Sequence, residues 1–270
     1  MVGWPVGHSR SPLIHKYWIA RYGIAGDYRR EAVALQDFPA FIANLRARGY
    51  VGANVTIPHK EAALRLSEPD NRALAVGAAN TLWLEQGRLR STNTDVEGFI
   101  DNLDAHAPGW DKALEKMVVL GAGGAARAVI AGLLGRGARR VQVANRTPER
   151  AQILRERFGA AVQPAGWDEL MPLLDGADLL VNTTSLGMTG QPKLEIDIRL
   201  LAPRAVVADL VYAPLETELL RQARARDLRA ADGLGMLLHQ AVRGFLLWFG
   251  ITPEVTPELR ALVERDLAER

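Results

Sequence analysis

Residues 52–61 read GANVTIPHKE and place a lysine, Lys60, at the start of an expected helix, KEAALRLS. A cation at a helix N-terminus sits against the positive end of the macrodipole, so folding alone gives little reason for it. The alternation before it predicts a strand from Ala53 to Ile57, with Ala53, Val55 and Ile57 on one face and Asn54 and Thr56 on a wet one. Pro58 is expected to end that strand. A second titratable group, Asp95, lies in NTDVEGF, and short polar residues surround both: Ser9 and Ser11 in HSRSP, then Asn80, Thr81, Asn93 and Thr94. A lysine and a carboxylate in one site can give and take the proton of a hydroxyl, and Ser, Thr, Asn and Gln suit a small polyhydroxylated substrate. Each residue also has a local explanation. Ser11-Pro12 reads as an N-cap followed by proline at N1, which leaves Ser9 without a role. Thr94-x-x-Glu97 reads as a capping box with Asp95 in the first turn.

A glycine turn supplies the second chemical signal. Gly121-Ala122-Gly123-Gly124-Ala125-Ala126 follows the apolar strand VVL and opens a helix, fitting G-x-G-x-x-G/A through Gly121, Gly123 and Ala126. Such a turn lets backbone amides at a helix N-terminus approach a pyrophosphate closely. The next strand of an NAD-binding sheet usually ends in an acidic residue that bonds the ribose hydroxyls. Here that place holds Asn145-Arg146-Thr147, with Arg150 one helical turn on. Arginine pairs with a ribose phosphate where an acid would repel it, which predicts NADP rather than NAD. Thr147 doubles as an N-cap candidate. A nicotinamide cofactor moves only a hydride, so oxidising an alcohol needs a separate proton acceptor, and Lys60 and Asp95 are the candidates.

The elements that must position these groups alternate between strand-like and helix-like segments. PLIHKYWIARYG, a segment near Asp37–Arg48 and KEAALRLS read as helices, TLWLEQGRLRST as a pair of short strands, and Val96 to Leu103 as a helix. AHAPGWDK reads as a linker. From MVVLGAGGAARA onward, VQVAN, PERAQILRERFG, LLVNTTS and AVVADLVY continue the βα rhythm of a parallel sheet. GMLLHQAVRGFLLWFG is a strongly apolar helix, followed by a short one beginning near Pro257. The expectation is α/β with two units and a helical C-terminus free to pack on either.

Composition narrows the function classes. The chain has 270 residues, 48% hydrophobic and 24% charged, with net charge +2. No Lys/Arg block forms a nucleic-acid tract; Arg139-Arg140 reads as a solvated face. Without cysteine there is no disulfide, thiolate nucleophile or Cys-zinc site, and the five histidines lack metal-ligand spacing, so no metal is expected. MVGWPVGHSR lacks the apolar core of a signal peptide, and FLLWFGI is too short for a bilayer, which predicts a cytoplasmic protein.

GHSRSPLIH, GANVTIPHKE, GAANTL, NTDVEGF, GAGGAARA, NRTPERA, NTTSLGM, DLVY and ADGLGMLLHQA together resemble, in order, the motifs of shikimate dehydrogenases. The resemblance spans nearly the whole chain and implies interconversion of 3-dehydroshikimate and shikimate with NADPH/NADP. It implies a two-domain α/β fold, an N-terminal mixed substrate domain plus a Rossmann-type NADP domain, with C-terminal helices returning to the substrate domain. The implied boundaries are 1–102 with 237–270, and 103–236. By position it makes Lys60 and Asp95 the catalytic pair. It makes Ser9, Ser11, Asn54, Thr56, Lys60, Asn80, Asp95, Tyr212 and Gln240 the substrate set. The cofactor set becomes Gly121, Ala122, Gly123, Gly124, Ala125, Asn145, Arg146, Thr147 and Arg150, with Thr184, Leu186, Leu210, Gly233 and Leu237. Only two residues precede Gly3, fewer than the family usually has, so a short first strand is expected. Two assignments of the acid stay open, Lys60 alone or Lys60–Asp95 as a unit. The partners expected are the small-molecule substrate only, with no nucleic acid or membrane, in a monomer or homodimer. The rival readings are a relative preferring quinate and a catalytically silent NADP-binding sensor; retention of both Lys60 and Asp95 speaks against the sensor.

Overall fold

The structure, a computed structural model, describes residues 1–112 and 115–269. It divides into two compact units, Met1–Glu97 with Leu238–Arg270, and Gly98–Leu237. The first opens with β1 (Val2–Gly3), α1 (Ser11–Arg21), β2 (Glu31–Ala32) and α2 (Phe38–Ala43). It continues through β3 (Gly52–Asn54), α3 (Lys60–Arg65), β4 (Glu68–Pro69), α4 (Asn71–Val76), and the hairpin β5 (Thr81–Glu85) and β6 (Arg88–Thr92). The helix α5 (Asp95–His106) then leads into the second unit. There lie β7 (Met117–Leu120), α6 (Gly124–Gly135), β8 (Val141–Asn145), α7 (Pro148–Phe158), β9 (Val162–Gly166) and α8 (Leu170–Leu174). β10 (Leu179–Asn182), β11 (Val206–Asp209), α9 (Glu218–Ala225) and β12 (Arg229–Ala231) complete its sheet, before α10 (Gly233–Phe249) and α11 (Pro257–Ala268) end the chain.

In the first unit β3, β5, β6 and β4 form a mixed sheet in that order, and β1 pairs with β2 alongside it. Its core gathers Phe38, Phe41, Leu45, Val55 and Leu82. The end of α10 packs here. Trp248 donates its indole N–H to the Leu82 carbonyl at 2.8 Å, and a Cβ on Gly52 would be driven into both groups. Glycine at that position is what lets α10 lie against the strand.

In the second unit all six strands are parallel, in the order β12-β11-β10-β7-β8-β9. Counted by chain order within this sheet, the arrangement is that of a dinucleotide-binding fold, with its crevice at the paired strands β7 and β10, where the strand order reverses. Apolar residues cover both faces, as a sheet flanked by helices requires: Val119, Val143 and Val181 in one core, Val118, Leu180 and Val207 in the other.

Several expectations are corrected. The strand expected from Ala53 to Ile57 pairs with β5 only from Gly52 to Asn54 and keeps one further bridge, Val55 with Val2; the Val55 amide bonds Asn80 O, the Thr56 amide bonds Val2 O, and the chain turns outward. Ile57 is therefore 73% exposed instead of joining Ala53 and Val55, and Asn54, expected on a wet face, is 1% exposed. The helix near Asp37–Arg48 stops at Ala43; the Asn44 amide and side chain both bond the Ala40 carbonyl, and the chain continues in turns. Ser11 is the first helical residue and Arg10 holds the N-cap position; Ser9 Oγ accepts the Ser11 amide at 3.3 Å, which accounts for the serine left over. The Thr94 amide, which a capping box would give to the Glu97 carboxylate, donates instead to Asn80 Oδ1 at 2.8 Å, and that carboxylate pairs with Arg72 at 3.1 Å. AHAPGWDK is no bare linker, since Ala107 and Trp110 are buried in the core of the second unit.

Candidate active site

Lys60 is the first residue of α3 and Asp95 the first of α5. Their side chains meet, Nζ donating to Oδ2 at 2.7 Å, with the lysine side chain 30% and the carboxylate 18% exposed. The pair is therefore partly open to solvent. Each carboxylate oxygen has its own donor, because Asn80 Nδ2 bonds Oδ1 at 2.9 Å. The Asp95 amide is taken by Asn93 Oδ1 at 3.1 Å, and Asn93 is anchored on the Ala78 carbonyl.

Asn80 organises the floor beneath that pair. Its Oδ1 accepts from the Thr94 amide at 2.8 Å and from the Thr81 and Thr94 hydroxyls at 3.1 and 3.2 Å. Thr81 Oγ1 in turn accepts from Asn54 Nδ2 at 3.0 Å, and Asn54 Oδ1 accepts from the Tyr28 hydroxyl at 2.6 Å. Thr94 Oγ1 reaches Gln240 Oε1 at 3.4 Å, bringing α10 into the same set. Asn54, Asn80, Lys60, Asp95 and Gln240 thus share one connected group. Tyr28, Thr81 and Thr94 join it although the expected substrate set omits them; the Asn-Thr pairs were the available signal for the threonines, and nothing local marked Tyr28. Thr56 is half-buried with its methyl against Gly3.

Ser9 and Ser11 stand at the entry to α1, where Ser11 lies against the Tyr28 hydroxyl of that network. Arg30 donates to the Ser9 carbonyl at 3.1 and 2.6 Å, and Arg10 Nε pairs with Asp266 of α11 at 2.7 Å, so two guanidiniums pin the loop. Ser11 Oγ is buried and makes no hydrogen bond of good geometry. Nearby His15 is fully buried, stacked on Tyr28 with centroids 4.3 Å apart and neither ring nitrogen well partnered; burial lowers its pKa to about 3.

In the second unit Gly121, Ala122 and Gly123 of the glycine turn, with Asn145, Arg146, Thr147, Arg150, Thr184 and Leu186, line one cavity of about 450 Å³. Gly121 has φ +98, and a Cβ there would stand 2.8 Å from Thr183 Oγ1, so the turn needs glycine. A Cβ on Gly123 or Gly124 would meet nothing within 4 Å, leaving open space over the amides at the start of α6. Thr147 holds the N-cap position of α7 without a side-chain cap bond, and Arg146 and Arg150 are exposed. This is a cradle for a pyrophosphate with cations beside it for a further phosphate, and it fits NADP.

The neighbouring loop is held from behind. Asn182 Oδ1 accepts from the Thr184 amide and hydroxyl at 3.0 and 2.7 Å, while its Nδ2 donates to Asp209 Oδ1 at 2.9 Å. Asp209 also accepts from the Val211 amide at 3.0 Å and the Thr217 hydroxyl at 2.7 Å. Burial raises the Asp209 pKa, against these bonds. Gly124 and Ala125 begin α6 and, with Leu210, Gly233 and Leu237, are not among the residues lining that cavity. Gly233 has a packing reason instead, since a Cβ would run into the Leu210–Val211 backbone. Leu210 and Tyr212 are half-buried after β11, and Leu237 half-buried on α10. Trp167 and Gln191 also line the cavity and stand outside the expected cofactor set; Trp167 follows β9, a strand whose Gln163 and Pro164 masked it. Among the described residues no cluster of three or more His, Asp or Glu could hold a metal, and no helix is long and apolar enough to cross a membrane.

Three family models match this chain: the shikimate dehydrogenase substrate binding domain over residues 1–82, shikimate / quinate 5-dehydrogenase over 107–189, and the shikimate 5'-dehydrogenase C-terminal domain over 233–262. A shikimate dehydrogenase (NADP(+)) of Rhodopseudomonas palustris (strain TIE-1) is 64% identical over 270 residues, covering 100% of this chain and 97% of that protein. Among solved structures, quinate dehydrogenase from Corynebacterium glutamicum in complex with NAD superposes with a TM-score of 0.90 at 33% identity, covering 97% of this chain and 96% of that one. Shikimate 5-dehydrogenase from Thermus thermophilus in complex with NADP(H) and shikimate gives a TM-score of 0.84 at 35% identity, covering 99% of this chain and 97% of that one.

Proposed function

The chain belongs to the shikimate dehydrogenase family, and from that premise we propose that Lys60 and Asp95 carry proton transfer in its NADPH-dependent reduction of 3-dehydroshikimate to shikimate. The single observation behind the assignment is the 2.7 Å contact between Lys60 Nζ and Asp95 Oδ2, partly open to solvent, with Asn80 holding the other carboxylate oxygen at 2.9 Å. NADPH, when bound, supplies the hydride. The ammonium of Lys60 hands a proton to the carbonyl oxygen as it becomes an alcohol, and takes it back in the oxidative direction. Asp95 keeps the lysine aimed and its charge balanced, and Asn80 prevents the carboxylate from rotating away.

The residues of Met1–Glu97 with Leu238–Arg270 form the substrate domain in this reading, and Gly98–Leu237 the NADP domain. Asn54, Thr56, Asn80, Asp95 and Gln240 bond the ring hydroxyls, Ser9 and Ser11 take the carboxylate, and Tyr212 completes the substrate set. The glycine turn, from Gly121 to Ala125, holds the pyrophosphate. Asn145, Arg146, Thr147 and Arg150 hold the ribose phosphate, and Thr184, Leu186, Leu210, Gly233 and Leu237 complete the cofactor set. The protein works in the cytoplasm as a monomer or homodimer, without nucleic-acid or membrane partners.

Reduced-cofactor absorbance tests the reading, with shikimate or quinate each paired with NADP or NAD. Shikimate with NADP is expected to give the highest kcat/KM. A preference for quinate with NAD would move the chain toward the quinate branch, and absence of turnover in all four mixtures despite NADP binding would favour a silent sensor.

A further inference from the structure

We propose that Trp167 is the platform on which the adenine ring of NADP stacks. The inference rests on the NADP reading above. Among the described residues that line the cavity carrying the glycine turn and the Arg146–Arg150 pair, the one aromatic is Trp167. Sheet register puts it there. β8 and β9 are parallel with Asn145 opposite Gly166, so the next residues along, Arg146 and Trp167, leave neighbouring strands side by side.

The chemistry of the walls is divided. Amides and cations serve the phosphates, which leaves the base as the part of an adenine nucleotide that needs a flat apolar partner. Indole provides the strongest π-face among side chains. Trp167 is half-buried, with part of its surface packed against the apolar cluster that also receives Leu186. That packing fixes the indole before any ligand arrives. Filling the cluster alone would require only an aliphatic side chain of similar bulk, whereas a base needs the aromatic face.

The experiment separates the two roles with Trp167→Leu, which keeps apolar packing and removes the ring, and Trp167→Phe, which keeps a ring. Adenosine 2′,5′-bisphosphate is titrated into the full-length wild type and both variants by calorimetry, and tryptophan fluorescence is followed in parallel. The expected result is binding about tenfold or more weaker in Trp167→Leu and restored to within about threefold of wild type in Trp167→Phe. Wild-type fluorescence is quenched on binding, and Trp167→Phe loses most of that quench although it still binds. Wild-type affinity in a folded Trp167→Leu, or an unchanged quench in Trp167→Phe, would overturn the proposal while leaving the NADP reading intact. Failure of the wild type itself to bind the bisphosphate would overturn the NADP reading and this inference with it.

Discussion

At the scale of residues, Lys60 and Asp95 are 35 positions apart in sequence and 2.7 Å apart in space. Lys60 at the first turn of α3 opposes the helix dipole by about 0.3–1 kcal/mol, and a carboxylate at hydrogen-bond distance offsets that cost. Asn80 is the keystone of the surrounding network. Asn80→Ala would strand the buried Thr94 amide and free Asp95 Oδ1, with an expected loss of roughly 2–4 kcal/mol in urea unfolding together with a fall in kcat; unchanged stability would contradict the keystone role. Arg146 and Arg150 are exposed and line the cavity, and in the proposed reading they pair with the ribose phosphate. Arg146→Ala is expected to weaken NADP binding by about tenfold or more and leave NAD nearly unaffected, as read by equilibrium titration with each. Residue types alone pointed to Lys60, Asp95 and Asn80. Tyr28 could not be found that way, because its hydroxyl bonds Asn54 across 26 positions with no local pattern to mark it.

At the scale of elements, glycines decide close approaches, among them Gly52 against Trp248, Gly121 against Thr183 and Gly233 against the Leu210–Val211 backbone. Gly52→Ala drives a methyl into the Leu82 carbonyl and the Trp248 indole, so it should lower the melting temperature, costing about 1–3 kcal/mol, and loosen α10 where Gln240 joins the site. A variant as stable as wild type would contradict that close packing. The strand–turn–helix from Met117 to Gly135 was legible because strand, φ-demanding glycine and helix occur in order. β9 was not, since Gln163 and Pro164 interrupt its apolar pattern and its burial comes from neighbours. The strand beginning at Ala53 was overextended for a related reason. Period-two alternation continues through Ile57, but pairing partners run out after Val55, and alternation cannot reveal where a partner strand ends.

At the scale of the whole molecule, the parallel sheet of the second unit followed from the βα rhythm, while its strand order required the structure. The return of α10 to the first unit was likewise implied only by family resemblance, because a strongly apolar helix fits either core. The first unit also carries an acid liability. The folded chain holds His15 at a pKa of about 3, lowered from 6.5 by burial among Tyr28, Trp18 and Phe245. As pH falls the unfolded chain takes up that proton first, so the contribution is whole above pH 6.5 and is lost progressively toward pH 3, on the order of a few kcal/mol. Urea unfolding between these limits should be steeply pH-dependent in wild type and flatter in His15→Phe; parallel profiles would contradict the burial of a neutral imidazole. The most direct test of proton transfer by Lys60 and Asp95 is single-turnover oxidation of shikimate by Lys60→Met, with NADP affinity measured on the same protein. Turnover is expected to fall about a hundredfold or more with NADP affinity preserved, and turnover near that of wild type would contradict the assignment.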